Sequence, residues 1–595
     1  MLAILIVLPL LIAALLSLVP YEQQKTIKYI AFAASIATLL AAIYLFVNPP
    51  GTQSVPWFGF NGIPINITTA TAPMNLLLMM VVAVITPLIF LYSMGFMELP
   101  SEQSRFYFEM CIFAAAMLLF SISASFITMF IAWEMLGITS YLLIGFWYKR
   151  EKAPTAARKA ITTILIGDIA MLVAILLIGV SYGSFDFSTV LQAPVASVYL
   201  KPALLLILIG AFTKSAQFPF HEWLADAMEG PTPVSAFLHS STMVKAGVFL
   251  VAVLLPLYAK ANMLPIILIF GMISALVGVS NALTERHIKK ILAYSTIEDL
   301  GLMFVALGLN ALVAAMMLFF FQAFYKALAF MGAGVVMRAN SEKEDLYEVH
   351  GSASDKILFS AALVSVLSIA AIFPISGFFG KAMVESAAFS SNLMVYGLLL
   401  LIGFGTSVYI FRWLIIPARA PSASNGNGSL AIMYKSTPIW MRMAMIILAI
   451  LAVVVSYLYL YLPGFISQQT LQYTPISLSG ALIGMAVSVA GIVVAYYIYR
   501  LGNRVYVSST NPLLYKIAYN SVLVNAAYMW ATRAFMSAAA VIGWMDIASD
   551  RSTYLISNMV IRTGHVGKRL VNGQVNLYVL AFVAGLLAIL LIFWL

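Results

Sequence analysis

The chain has 595 residues, of which 63% are hydrophobic and 9% charged, and its formal net charge is +10. A soluble domain carries roughly 25% charged residues, so this composition excludes a water-soluble globular protein and makes the bilayer its solvent. The single cysteine, Cys111, excludes an intrachain disulfide and a cysteine-held iron–sulfur or zinc centre, and the basic residues sit in short loops, where they set topology and do not point to nucleic acid.

Windows of about 20 apolar residues mark membrane helices. They lie near 2–20, 27–47, 74–97, 106–123, 124–147, 157–182, 201–220, 234–258, 262–283, 290–309, 311–336, 357–391, 393–416, 438–462, 475–499 and 575–595, about sixteen in all. The first lacks a positive leader region, so it reads as a membrane helix and not as a cleaved signal peptide. Two windows are interrupted: residues 212–223 read FTKSAQFPFHEW around Pro219, and residues 372–381 read IFPISGFFGK after Pro374. Proline removes a backbone donor and clashes with the preceding turn, and a broken helix at bilayer depth is tolerated where it lines a polar cavity. The breaks lie five helices apart. An odd offset inverts the second unit, so two inverted five-helix repeats are expected.

Charge gives the orientation. With the N-terminus outside, Lys25, Lys28, Arg105 and the basic residues of 149–159, 286–290, 338–356, 419–435 and 500–504 share one side. The opposite loops, 48–73, 183–200, 392 and 463–474, contain no Lys or Arg; Lys201 and Lys260 are the exceptions at helix ends. This is the positive-inside pattern. A span through 512–561 would put Arg551, Arg562, Lys568 and Arg569 outside. That stretch is therefore expected to lie along the inner surface, where about 50 residues of helix reach roughly 75 Å and brace neighbouring subunits. The fold class that follows is an all-α polytopic membrane protein with a long C-terminal lateral amphipathic helix. Its expected parts are N-terminal transmembrane helices (1–105), a first repeat (106–260), a second repeat (261–420), additional transmembrane helices (421–505), the lateral helix (506–570) and a final transmembrane helix (571–595). Both termini are expected outside a multi-pass plasma-membrane protein, with the lateral helix on the cytoplasmic face.

Ionisable residues inside these helices are the candidate functional groups, because a charge at bilayer depth costs about 2.5 kcal/mol or more. They are Glu134, Asp168, Lys214, His239, Lys245, Lys326, Lys381 and Glu385. Desolvation favours neutral lysine, the property a proton relay needs. Asp168 is a candidate partner of Glu134 or of Lys214. His239 and Lys245 read as one helix, SAFLHSSTMVKAGVFL, which sets them roughly 120° apart and about 9 Å along the axis, with Ser240, Ser241, Thr242 or water between. Lys381 and Glu385, at i and i+4, share a face. Glu298 and Asp299 point to different faces, and at least one is expected to line a cavity. The competing reading keeps the carboxylates neutral and hydrogen-bonded and lets the lysines snorkel to the interface. No phosphate loop, nucleophile elbow or HExxH motif is present.

The segments FIAWEMLGITSYLLIGFWY, FPFHEWLADAMEGPTPVSAFLHSSTMVKAGVFL, KKILAYSTIEDLGLMF and FYKALAFMGAGVV resemble the large antiporter-like subunit (subunit L, chain 5) of respiratory complex I. The large antiporter-like subunit of Mrp-type sodium/proton antiporters is similar too. The likeness runs from about residue 60 to 420, and VNGQVNLYVLAF resembles the segment before the family's last helix. The resemblance implies a proton-translocating module in which Glu134, Lys214 and Lys381 match the membrane glutamate and the two broken-helix lysines. Asp168 also matches, His239 and Lys326 match relay residues, and the lateral helix matches the family's strut. Where the family has histidines before the Lys326 position, this chain has Leu318 and Gln322. Leu165 replaces an arginine, and Ala382 an acid, with Glu385 a turn later. The function this implies is that of a non-redox, proton-translocating subunit of a complex I-like redox-driven pump. The alternatives are a subunit of an Mrp-type antiporter or of a membrane-bound hydrogenase-type complex, or a structural brace without transport. No cofactor is expected on this chain; iron–sulfur clusters and flavin or another redox centre belong on partner subunits. The expected partners are other antiporter-like and membrane subunits, reached through the lateral helix, and, indirectly, peripheral redox subunits. NADH, reduced deazaflavin, ferredoxin and hydrogen all stay open as donors.

Overall fold

The apolar windows fold as helices, and short polar residues fix where they begin. In the computed structural model Ser125 accepts a hydrogen bond from the N–H of Thr128 (3.1 Å), Asp355 from those of Ile357 and Leu358, and Asn392 from those of Met394 and Val395. Each bond satisfies a backbone donor that a helix start leaves free. The structure describes residues 4–16, 24–60, 63–98, 100–192, 198–419, 434, 436–467 and 475–501. In chain order the elements are α1 (Ile4–Leu16), α2 (Gln24–Val47), β1 (Thr52–Phe60), β2 (Ile63–Ala70), α3 (Pro73–Phe96), α4 (Pro100–Ile122), α5 (Phe126–Ile144), α6 (Lys152–Tyr182), α7 (Phe187–Gln192), α8 (Leu200–Lys214), α9 (Glu222–Asp226), α10 (Thr232–Leu238), α11 (Ala246–Val253), α12 (Leu255–Lys260), α13 (Leu264–Thr284), α14 (Ile288–Gly308), α15 (Leu312–Ala339), α16 (Lys356–Ile369), α17 (Ser376–Ser391), α18 (Leu393–Ala418), α19 (Ile439–Val454), α20 (Leu462–Ser467) and α21 (Leu478–Tyr496).

Among the described residues, 12 helical stretches are long and apolar enough to cross a membrane, and each falls on one of the apolar windows. Three other windows fall on shorter helices: 2–20 on α1, 201–220 on α8, and 357–391 on α16 and α17. The last window, 575–595, and the expected lateral helix, 506–570, lie outside the described residues.

Two readings of the sequence need correction. The 48–73 loop is an antiparallel hairpin, β1 paired with β2 from Thr52↔Ala70 to Phe60↔Ile63. The 234–258 window is not one helix. It breaks after Leu238 and resumes through a 3-10 turn, Met243–Lys245, into α11. The cause is local: Thr242 Oγ1 donates to the Phe237 carbonyl (2.6 Å), and Ser240 Oγ to that of Ala236. Hydroxyls that take carbonyls in this way compete with the helix ladder. His239 and Lys245 therefore do not share a helix, and the 120° geometry does not apply.

The centre of the bundle is α15, whose residues are buried all round except Arg338. A helix apolar on every face belongs in the interior. The loops at each end are tied to one another as the charge alternation groups them. At one end Lys159 pairs with Asp226 (2.6 Å), Arg286 with Asp345 (2.7 Å), Arg338 with Glu98 and Arg442 with Asp355. At the other, Thr68 of the hairpin donates to Asp186 (2.7 Å), and the Phe126 N–H donates to the Phe185 carbonyl (2.9 Å).

Candidate functional site

The two interrupted windows break in the same way. After α8, Ala216 takes φ +49° and the Gln217 N–H bonds the Phe212 carbonyl (2.8 Å). After α16, Ala371 takes φ +56° and the Ile372 N–H bonds the Leu367 carbonyl (3.0 Å). Each is a left-handed helix stop made without glycine. Each ends a helix in the interior, and a lysine is buried beside each stop.

The first centre is built on Lys214, the last residue of α8. Its Nζ donates to the Trp133 carbonyl (2.9 Å), lies 4.8 Å from the Trp133 ring centroid and is 3.8 Å from Asp168 Oδ1. Trp133 Nε1 donates to that same Asp168 oxygen (2.6 Å). Gly137 makes room for the ammonium, since a Cβ there would stand 3.3 Å from Nζ. So Asp168, offered two partners by the sequence, pairs with Lys214. Glu134 follows Trp133 on α5, half-buried, with Oε1 buried and unpartnered. Among the described residues no ion pair reaches it.

The second centre is denser. Lys381, on α17, donates to the Ile369 carbonyl at the end of α16 (2.9 Å) and stands 3.3 Å from both Glu298 Oε1 and Asp299 Oδ1. A cation there also meets the negative end of the α16 dipole. Lys326, on α15, stands 3.2 Å from Asp299 Oδ2 and donates to Ser295 Oγ (2.5 Å). Thr406 and Tyr409 of α18 each donate to Glu298 (2.5 Å). Glu298 and Asp299, which diverge as neighbours on α14, both reach Lys381, whose ammonium comes between them. A glycine sets the helix that carries them: a Cβ on Gly278 would meet the Glu298 backbone nitrogen at 2.7 Å.

Between the centres stand His239 and Lys245, both fully buried. Among the described residues neither ring nitrogen of His239 has a partner, and the ring lies 6.2 Å from Trp223, whose Nε1 donates to the Thr213 carbonyl beside Lys214 (3.0 Å). Lys245 Nζ reaches α15, donating to the Phe319 carbonyl (2.5 Å) with the Phe319 ring centroid 4.7 Å away. One turn further along α15 both amide atoms of Gln322 are buried without a described partner, and a turn beyond that stands Lys326. Leu318 packs on α17, where a Cβ on Gly380 would come within 2.9 Å of its Cα. Glu385 is not joined to Lys381 by an ion pair. A carboxylate oxygen lies against Gly484 of α21, 2.1 Å from where a Cβ there would sit.

The chain matches the family model described as NADH:quinone oxidoreductase/Mrp antiporter, TM, over residues 123–408. It matches a second, described as NADH-Ubiquinone oxidoreductase (complex I), chain 5 N-terminus, over 57–107. The F(420)H(2) dehydrogenase subunit L of Methanosarcina mazei is 30% identical over 641 residues, covering 94% of this chain and 92% of that protein. The NADH-quinone oxidoreductase subunit L of Campylobacter jejuni is 36% identical over 68% of this chain and 70% of its own length. The chain belongs to this family of antiporter-like membrane subunits. Its fold matches that in the structure of the Mrp complex from Dietzia sp., with a TM-score of 0.75, 22% identity, and coverage of 99% of this chain and 62% of that one. The chain spans about half to two thirds of the length of several other relatives. Among them is a subunit of the Na(+)/H(+) antiporter of Alkalihalophilus pseudofirmus, 33% identical and spanned over 50% of its length.

Within this family member the sequence reading names Glu298 and Asp299 as an acid pair near a cavity but does not count them among the candidate relay groups, and it passes over the hydroxyls and the indole that hold the carboxylates. Glu298 stands in Glu-Asp-Leu-Gly (298–301), which repeats the Glu-Met-Leu-Gly around Glu134 (134–137). That short echo is a signal that could have marked it. Nothing in the sequence points to Trp133, Tyr409 or Thr406 as partners, because hydroxyls and indoles are ordinary in apolar helices and only the fold brings them to a carboxylate.

Proposed function

We propose that this chain is the proton-translocating membrane subunit of a complex I-like redox-driven pump. The observation that carries the reading is a row of buried lysines and carboxylates across the bundle, from Glu134, Asp168 and Lys214 through His239 and Lys245 to Lys326, Asp299, Lys381 and Glu298. Buried charges in membrane helices are expensive, and a brace would not need them.

Asp299 holds Lys326 with one oxygen and Lys381 with the other. A proton leaving either ammonium strengthens the carboxylate's hold on the other, so the charge state of one lysine sets the proton affinity of the next. Two unit charges at 3.3 Å interact by about 5 kcal/mol at an effective dielectric of about 20. Moving one charge against 100 mV takes about 2.3 kcal/mol. A single rearranged pair is therefore enough to drive a proton uphill. Lys245 supplies the basic group that Leu318 and Gln322 do not, at the same stretch of α15.

Redox partners would supply the drive. Iron–sulfur clusters and flavin or another redox centre belong on those subunits, and this chain's residues only move protons. The long match to the F(420)H(2) dehydrogenase subunit, against half the length of the antiporter subunit, favours a redox complex over an Mrp-type antiporter. The alike breaks support two inverted repeats, 106–260 and 261–420. The charge alternation supports a plasma-membrane protein with both termini outside, the loops bearing Lys159, Arg286 and Arg338 facing the cytoplasm, and 506–570 as a lateral helix bracing neighbouring antiporter-like subunits. The test is proton uptake by proteoliposomes holding the intact complex. Lys214→Ala should abolish donor-driven uptake while assembly is kept; undiminished uptake would leave the brace reading standing.

A further inference from the structure

We infer that the loop end formed by α4 and the 146–150 turn is a binding site for the phosphodiester headgroup of an anionic membrane lipid. The inference rests on reading these helices as membrane-spanning and not on proton transport.

A cavity of about 580 Å³ opens there, between the end of α3, the start of α4 and the residues that follow α5. Its size falls within the range of small-molecule sites, roughly 300–1,000 Å³. Its walls combine interfacial aromatics with cations. Trp147 and Tyr148 are the residue types that sit at headgroup level, and Arg105, Lys149 and Arg150 stand among them. The Arg150 guanidinium lies 3.9 Å from the Trp147 ring centroid, and that of Arg105 lies 5.3 Å from that of Tyr148.

Charge bookkeeping selects the ligand. Arg105 is committed to Glu109 (2.7 Å), and Glu98 is committed to Arg338. Three charged side chains of the cavity have no ion-pair partner among the described residues: Lys149, Arg150 and the carboxylate of Glu102. Two cations and one carboxylate leave a net charge of +1, which one phosphodiester cancels. Basic pockets between membrane helices at the cytoplasmic face are where anionic headgroups bind. The apolar part of the wall, Phe96, Met97 and Phe146, suits the glycerol and first methylenes of the same molecule, which a free phosphate lacks.

The site is joined to the functional row. Arg105 Nη1 donates to the Phe146 carbonyl (3.3 Å) just past α5, the helix that carries Glu134. A bound headgroup would hold that end of α5.

The test is native mass spectrometry of the delipidated intact complex, titrated with dioctanoyl phosphatidylglycerol, dioctanoyl phosphatidylcholine and inorganic phosphate. Lys149 and Arg150 are exposed, so Lys149→Gln/Arg150→Gln should fold as the wild type does. The double variant should bind phosphatidylglycerol about tenfold or more weakly, since two cations at the membrane surface are lost. Glu102→Gln should bind it more tightly, because the site's net charge rises. Phosphatidylcholine should bind more weakly than phosphatidylglycerol. Equal phosphatidylglycerol binding by wild type and double variant would overturn the inference. So would inorganic phosphate binding as tightly as the lipid, which would make the cavity a free-anion site.

Discussion

The two buried centres differ in how tightly their charges are held. Around Lys381 two ammonium groups face two carboxylates, so the formal charge is zero; Thr406 and Tyr409 donate to Glu298, Tyr325 donates to Asp299, and Ser295 accepts from Lys326. Around Lys214 one ammonium faces Asp168 at 3.8 Å, while Glu134 stands half-buried with an unpaired oxygen. Here one cation faces one carboxylate, and the second carboxylate has no ion pair among the described residues. The second centre is a locked network, and the first is a loose one in which a small shift of α5 or α6 changes what Lys214 sees. Lys245, with no carboxylate in ion-pair reach among the described residues, stands between them. On the proposed function the two centres would do different work, the first suited to switching and the second to storing charge.

Lys381→Met gives the largest expected effect. It leaves Glu298 and Asp299 with one cation between them, and breaking a buried pair from one side costs about 3–5 kcal/mol. The assembled complex should be lost or its Tm should fall by several degrees, together with proton uptake. Adding Glu298→Gln to that variant should restore assembly without restoring uptake. If Lys381→Met assembles normally, the second centre is not a locked network.

Lys214→Met comes next. Asp168 keeps its bond from Trp133 Nε1, so the expected loss of stability is smaller, about 1–3 kcal/mol. Uptake should still fall about tenfold or more. The split between stability and transport is the property that distinguishes the loose centre, and thermal unfolding beside proteoliposome uptake measures both.

Lys245→Met tests the ground between the centres. It removes a buried cation that has no carboxylate partner among the described residues, so assembly should be kept while uptake slows several-fold. Gln322→His, a turn from the carbonyl that Lys245 holds, should recover part of the rate in that background. No recovery would place the path elsewhere than along α15.

These expectations draw unequally on sequence and structure. Buried lysines are legible in a sequence because their cost marks them, and Pro219 and Pro374 mark the two breaks. Length and hydropathy locate the spans. The third break, at 239–242, is not legible by periodicity, because the His-Ser-Ser-Thr run is short and apolar residues flank it on both sides. What ends α10 is the Ser-Ser-Thr run taking backbone carbonyls, and such runs also occur within intact membrane helices. The β1–β2 hairpin escapes a reading that looks in loops only for charge. Partnership is the least legible property. Two adjacent acids on α14 diverge by helical geometry, yet Lys381 arrives from α17 between them, and only packing around α15 decides that.

The two centres differ also at the helix ends that carry Lys159 and His287, where the smallest effect is expected. The first centre's end is pinned by Lys159 to Asp226. At the second, the N–H of Ile288, first residue of α14, bonds the Glu344 carbonyl (2.9 Å), and His287 Nε2 stands 3.2 Å from Glu344 Oε2. His287 beside it holds the Glu344 carboxyl down at about 2, below its ordinary 4.5. A depressed carboxyl stabilises the fold above its unfolded value and stops doing so as pH falls through its folded value. The Glu344 contribution should therefore be complete above about pH 5 and decline between about 4.5 and 2. Glu344 is 38% exposed, so the effect is small: Glu344→Gln should lower Tm by about 1 °C or less at pH 7. Unfolding followed at pH 7 and pH 3 should show the difference from wild type shrink at the lower pH. A difference that grows there would mean the clamp depends on another group, and that the end of α14 is not held as its side chains indicate.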